Sequence, residues 1–136
     1  MAEARSMLER RRLASTSGPI LIVDDDAQLQ RTMRWLLEDE GLRVETASNG
    51  DEALARAGEV RPSLIILDLN LPARDGESVA EELRGLHGHD LPIIVVSSDS
   101  MVEERATAVR AVCWIVKPFE IDELVSAVWE VLGTLK

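Results

Sequence analysis

The sequence predicts an α/β domain, a doubly wound parallel sheet of five strands with five helices. Two observations carry this. From Ile20 onward, short apolar runs alternate strictly with segments of helical periodicity, the arrangement of parallel strands joined by crossover helices. Three of the runs, ILIV, LIIL and PIIVV, are almost continuously apolar, as strands covered on both faces must be.

The elements follow in order. Residues 1–18 are expected to be a flexible tail, because Ser15-Thr16-Ser17-Gly18-Pro19 has the composition of a linker. Strands are expected at 20–23, 42–47, 64–67, 92–96 and 112–116. The first helix is expected at 27–40, where Leu29, Met33, Leu36 and Leu37 make one stripe. Gly41 supplies its stop, and Asp26 its N-cap. Further helices are expected at 51–58, 75–86, 100–110 and 120–132. The fourth has only Val102, Ala106 and Val109 as a buried stripe, with Ser98-Asp99-Ser100 as its N-cap. In the last, Ile121, Leu124, Val125, Val128 and Leu132 form the stripe, and Trp129 is expected to face away from it.

Composition narrows the function. The 136 residues are 46% apolar and 29% charged, enough to bury a core as one domain. The single cysteine, Cys113, excludes an internal disulfide and suits a cytoplasmic setting. No apolar run reaches the roughly 18 residues of a membrane span, and residues 1–18 are charged and lack the apolar segment of a secretory signal. The net charge is −10, with +2 in residues 1–18 and hence −12 in 19–136. An acidic body repels nucleic acid phosphates and attracts a cation or a basic protein surface. Arg10-Arg11-Arg12 is expected to be a solvated part of the tail.

The polar residues at the strand ends point to chemistry. Strand one ends in Asp24-Asp25-Asp26, strand three in Asp68, strand four in Ser97-Ser98 and strand five in Lys117-Pro118. In an open parallel sheet the carboxyl ends share one edge, where ligands bind. Carboxylates gathered there repel one another unless a cation joins them. Magnesium suits an all-oxygen site completed by phosphate, and an aspartate can carry an acyl phosphate.

The strings ILIVDDD (20–26), LIILDLNLPARDG (64–76), PIIVVSS (92–98) and VKPF (116–119) resemble the receiver domains of two-component response regulators. The resemblance runs from Ile20 to about Leu132 and implies a flavodoxin-like sheet order of 2-1-3-4-5, with a receiver domain over 19–136. It implies that Asp68 is the phosphoacceptor, that Asp25 ligates Mg2+ (Mn2+ as the alternative), and that Asp24 acts through metal-bound water. It implies metal ligation by the Asn70 backbone carbonyl, a hydroxyl role for Ser97, phosphate binding by Lys117 and a switch role for Trp114. Asn70 and Asp99 match the positions that tune phosphate lifetime, and Lys117-Pro118 matches a cis peptide. Pro72 and Gly76 match the loop after the acceptor strand. Two departures bear on the fourth helix: Arg110-Ala111 stands where Gly-Ala is usual, and the stretch from Ser97 to Lys117 is about two residues short of the commonest pattern.

The implied function is a phosphorelay switch, self-modifying rather than an enzyme. Its donor would be a sensor histidine kinase or histidine phosphotransfer protein, and its output a changed surface of the fourth helix, fifth strand and fifth helix, met by a downstream protein or a second copy. No DNA-binding segment follows Lys136, so output is expected by protein contact, unless the chain is part of a longer regulator. One competing reading is a pseudo-receiver, an interaction module without the chemistry. Another is a magnesium phosphohydrolase of the haloacid dehalogenase type, whose D-x-D pattern Asp24-Asp25-Asp26 contains. That family also needs an acidic pair at a later strand end, whereas Asp122 and Glu123 fall in a helix. His87 and His89 read as a surface turn, Cys113 as a packing residue, and Trp35 as partly exposed.

Overall fold

The computed structural model of the protein describes residues 18–133. The tail expected over 1–18 lies outside the described residues, Gly18 excepted. The strands are β1 (Ile20–Val23), β2 (Val44–Ala47), β3 (Leu64–Leu67), β4 (Ile93–Ser97) and β5 (Cys113–Val116). The helices are α1 (Ala27–Asp39), α2 (Gly50–Glu59), α3 (Gly76–His87), α4 (Val102–Ala108) and α5 (Ile121–Gly133). All strand pairs are parallel and the order is β2-β1-β3-β4-β5.

Alternate strand residues feed two cores. Leu21, Val23, Ile65, Leu67, Ile93 and Val95 pack under α2, α3 and α4, against Ala53, Val79, Leu83 and Ala106. Ile20, Ile22, Leu64, Ile66, Ile94 and Val96 pack under α1 and α5, against Met33, Leu37, Leu124 and Val128. Burial on both faces explains the continuous apolar runs. Register then fixes the polar ends. Val23 stands beside Leu67, so Asp24 and Asp68 leave the sheet side by side. Ser97 stands beside Val116, one residue before Lys117.

Three expectations need correction. Trp129 is buried, and its indole N–H donates to Glu40 Oε1 at 2.7 Å. It lies i+4 from Val125 and i−3 from Leu132, on the stripe rather than away from it. Ile121, the first residue of α5, is 53% exposed and lies off the buried stripe. The fourth helix is shorter than 100–110, and its N-cap is Met101, with no side-chain cap bond. The Asp99 carboxylate, two residues ahead of that cap, instead accepts from the Met101 N–H at 2.7 Å.

An arginine of α3 ties down the segment that leaves α4. Arg84 is buried and donates to the carbonyls of Val109, Arg110 (2.9 Å) and Leu91 (3.4 Å). These include carbonyls that the end of α4 leaves open. Burial, then the neighbouring Arg110 charge, pushes the Arg84 pKa down. Arg110 itself has φ +57°, a left-handed conformation.

Two predictions follow from this packing. Replacing Arg110 by glycine removes a left-handed Cβ cost but loosens the unfolded chain. The balance is a gain of about 0.5–1 kcal/mol, read as a higher urea midpoint. A lower midpoint would contradict it. Helix α4 has seven residues and a stripe of two valines and one alanine, so it is expected to open below the global unfolding free energy. Amide hydrogen exchange should show less protection over 102–108 than over β3, and equal protection would defeat the claim.

Candidate functional site

The site lies where the strand order turns back, between β1 and β3 and their C-terminal loops. Asp24 is 1% exposed and Asp68 6%. Lys117 reaches across from the end of β5, and its Nζ donates to Asp24 Oδ2 at 2.8 Å and Asp68 Oδ2 at 2.9 Å. The Lys117–Pro118 bond is cis. The other carboxylate oxygens are held locally. Asp24 Oδ1 accepts from the Asp26 N–H at 2.9 Å, and Asp68 Oδ1 from the Asn70 N–H at 2.9 Å. Gln30 of α1 donates to the Asp24 carbonyl at 3.0 Å and the Ala47 carbonyl at 3.1 Å, tying β1 to β2 at the rim.

Burial raises the Asp24 pKa, while hydrogen bonds from Lys117 and the Asp26 N–H oppose the rise. For Lys117 burial works against the charge. The hydrogen bonds and charges of Asp24 and Asp68 outweigh it and hold the ammonium above the ordinary lysine range.

Asp24, Asp25 and Asp68 each present a carboxylate oxygen, and these oxygens lie within 4.8 Å of one another. Asp25 is exposed at the mouth. An all-oxygen donor set of this kind fits a hard divalent cation.

On the other flank Ser97 is fully buried. Its Oγ accepts from Asn70 Nδ2 at 3.2 Å and from the Asp99 N–H at 3.1 Å. The structure therefore brings Asp24, Asp25, Asp68, Asn70, Ser97, Asp99 and Lys117 into one neighbourhood. Trp114 is the exception. It stands 41% exposed on edge strand β5, in an open groove shared with Asp122, Glu123 and Ser126 of α5. His87 Nε2 lies 2.6 Å from the Ala57 carbonyl, and Cys113 packs against the core under α1 and α5, where burial raises its thiol pKa.

One residue at the site was missed in the sequence. Arg105 of α4 donates to Glu77 at 2.7 and 2.8 Å, to Asn70 Oδ1 at 2.6 Å, to Asp99 Oδ2 at 2.7 Å and to the Leu69 carbonyl at 3.2 Å. In sequence it is one more charged residue between the buried positions of α4. Only the topology brings α3 and the loop after β3 to it. The hydrogen bonds that Arg105 donates to Glu77, and then the one to Asp99, raise its pKa against the opposing effect of burial. Gly76 permits the loop to turn this tightly. A Cβ there would stand 2.4 Å from Leu69 Cα and 2.9 Å from its carbonyl oxygen.

A doubly wound α/β domain with an acidic, lysine-bridged crevice at its switch point is the class that fold and site define. The chain belongs to the response regulator receiver domain family, whose model matches residues 20–129. It is 40% identical over 115 residues to the transcriptional regulatory protein PrrA of Mycobacterium leprae, covering 83% of this chain and 49% of that protein. The chain thus spans about half the length of the curated relatives it matches. Among solved structures it resembles chemotaxis protein CheY4 of Vibrio cholerae, with a TM-score of 0.78, 31% identity, and coverage of 85% of this chain and 99% of that one. It also resembles the response regulator TrrA of Thermotoga maritima, in complex with Mg2+-BeF, with a TM-score of 0.74, 32% identity, and coverage of 84% and 98%. Among the described residues, no helix is long and apolar enough to cross a membrane.

The Glu77–Arg105 tie generates a pH prediction. Hydrogen bonding to Arg105 holds the Glu77 carboxyl below the ordinary glutamate range. A depressed folded pKa stabilises above the unfolded value, and the contribution is lost as pH falls through the folded one. Glu77→Gln should therefore cost about 0.5–1 kcal/mol at pH 7, the worth of a partly exposed pair. The gap between the urea midpoints of wild type and variant should close as the pH falls below about 4. A gap of constant size from pH 7 to 3 would contradict it.

Proposed function

We propose that this chain is a phosphoacceptor switch. Asp68 takes a phosphoryl group from the phosphohistidine of a sensor histidine kinase or histidine phosphotransfer protein, and the modified domain presents a changed α4-β5-α5 surface to a downstream protein or a second copy. The observation that carries the reading is Lys117 Nζ shared at 2.8 and 2.9 Å between Asp24 and Asp68. That contact leaves an acceptor carboxylate beside the cation that its phosphoryl group would need.

Asp24, Asp25, Asp68 and the Asn70 carbonyl would hold a magnesium or manganese ion, which when bound neutralises charge on the phosphoryl oxygens. In the transfer a carboxylate oxygen of Asp68 attacks phosphorus as the bond to the donor nitrogen breaks, and that nitrogen keeps the electron pair. Lys117, held protonated by two carboxylates, follows the phosphoryl oxygens as a mobile point charge. Ser97 donates its hydroxyl to a phosphoryl oxygen. Loss of the group is a separate step: water attacks phosphorus and the bond from phosphorus to the Asp68 oxygen breaks. The Asp68 carboxylate is restored, and inorganic phosphate leaves with the water's oxygen, its protons passing to phosphate or solvent. This is chemistry on the protein's own side chain, not turnover of a separate substrate. Asn70 and Asp99 flank the acceptor and Ser97 and set how readily water enters, and Trp114 is the aromatic that responds. The domain spans 19–136 behind a tail of 1–18, and its setting is cytoplasmic. Its acidic surface suits protein partners rather than nucleic acid or membrane.

Incubation with magnesium and a small phosphodonor should add one phosphoryl mass to the wild type and none to Asp68→Ala. Equal gain in Asp68→Ala would overturn the acceptor assignment. Calorimetry should show magnesium affinity weakened about tenfold or more in Asp25→Asn, because a ligating charge is lost. The phosphoryl group should leave within minutes without a phosphatase, and survival for many hours at neutral pH would contradict the roles of Asn70 and Asp99.

A further inference from the structure

We propose that Arg105 is a positioning residue for phosphoryl uptake, acting through Asn70 to aim the Ser97 hydroxyl. The inference rests on the phosphoacceptor reading above and adds a residue to it.

The argument is one of donors and acceptors. A guanidinium has five N–H groups and no acceptor. All five of Arg105 are used: two on Glu77, one each on Asn70 Oδ1, Asp99 Oδ2 and the Leu69 carbonyl. Because Arg105 can only donate, the amide of Asn70 must turn its oxygen toward α4. Its Nδ2 then faces Ser97 Oγ at 3.2 Å. The second lone pair of that oxygen is taken by the Asp99 N–H at 3.1 Å. A hydroxyl whose two lone pairs are filled has only its proton left to offer. Ser97 is thereby set as a donor before any phosphoryl oxygen arrives, beside the strand end that carries Asp68.

Glu77 fastens the guanidinium from α3 through both carboxylate oxygens, which makes the device rigid from outside the crevice. The same grip keeps the Asp99 carboxylate engaged, and the Met101 N–H and Arg105 hold it below the ordinary aspartate range. A freed Asp99 would add an unpaired negative charge where an anion must enter.

The test compares two quantities that respond oppositely. One is the initial rate of phosphoryl uptake from acetyl phosphate at saturating magnesium, read by intact mass. The other is magnesium affinity without donor, read by calorimetry. Arg105→Met should slow uptake by about fivefold or more, the worth of one hydrogen bond. Magnesium binding should not weaken, since the crevice loses a positive charge. Arg105→Lys keeps the charge and is the milder change, but an ammonium cannot span Asn70, Asp99 and Glu77 together. It should slow uptake as well. In an Asn70→Ala background, Arg105→Met should cause little further loss, as expected for residues acting in one chain.

An equal fall of uptake and magnesium affinity in Arg105→Met would mean general disruption and overturn the proposal. Full wild-type uptake in either Arg105 variant would overturn it, as would complete additivity with Asn70→Ala. If the wild type takes up no phosphoryl group at all, the phosphoacceptor reading itself fails and this inference falls with it. Uptake by wild type and both variants at one rate sinks the inference alone.

Discussion

Everything at the C-terminal edge of the sheet depends on one ammonium shared by two buried carboxylates. Parallel register delivers Asp24 and Asp68 to neighbouring strand ends, at 1% and 6% exposure. Burial pushes the Asp24 pKa up, and the neighbouring Asp68 charge acts in the same direction. Lys117 resolves this with one hydrogen bond to each. With Asp25 counted, three carboxylates face one ammonium. The residual negative charge is what a divalent cation would balance, and only then is the crevice hospitable to a second anion.

The geometry of that edge also divides the labour between the two cores. Lys117 comes from β5, whose Ile115 packs into the core under α1 and α5. Asn70, Ser97 and Asp99 are steadied instead by α3 and α4, which cover the opposite face. The crevice is the seam where the two cores meet. Asp24 and Asp68 at its centre are set by the paired ends of β1 and β3.

Residues adjacent to strand ends were legible, because a short apolar run followed by a polar residue is a local signal and the parallel topology does the rest. Asp24, Asp68, Ser97 and Lys117 follow from four such strings. The alternation of elements was legible for the same reason, with boundaries displaced by a residue or two at β2, β4 and β5. What was not legible depends on partners distant in sequence. Arg105 meets Glu77 28 positions away, Arg84 meets Val109 25 away, and Trp129 meets Glu40 89 away. No periodicity announces such pairs. The N-cap at Ser98-Asp99-Ser100 failed because Asp99 is drawn into the arginine network, a competing use of the same carboxylate.

Helix α4 shows how the departures and the additions belong together. A seven-residue helix without a side-chain cap is a poor autonomous element. Its stripe of two valines and one alanine buries little apolar surface, and Arg110 leaves it through a left-handed residue without glycine's freedom. Helix α3 compensates at two points. Glu77 grips Arg105 in the last turn of α4, and Arg84 donates to the Val109 and Arg110 carbonyls just beyond it. Polar ties of this kind are directional where apolar burial is not. They fix where α4 sits relative to the acceptor more tightly than its small stripe could. A helix held by directional hydrogen bonds beside a small buried stripe has few intermediate positions, since each bond is made or broken. An element that meets the crevice through Asn70 and Asp99 at one end and the exposed face at the other thus couples the two through a small number of discrete contacts.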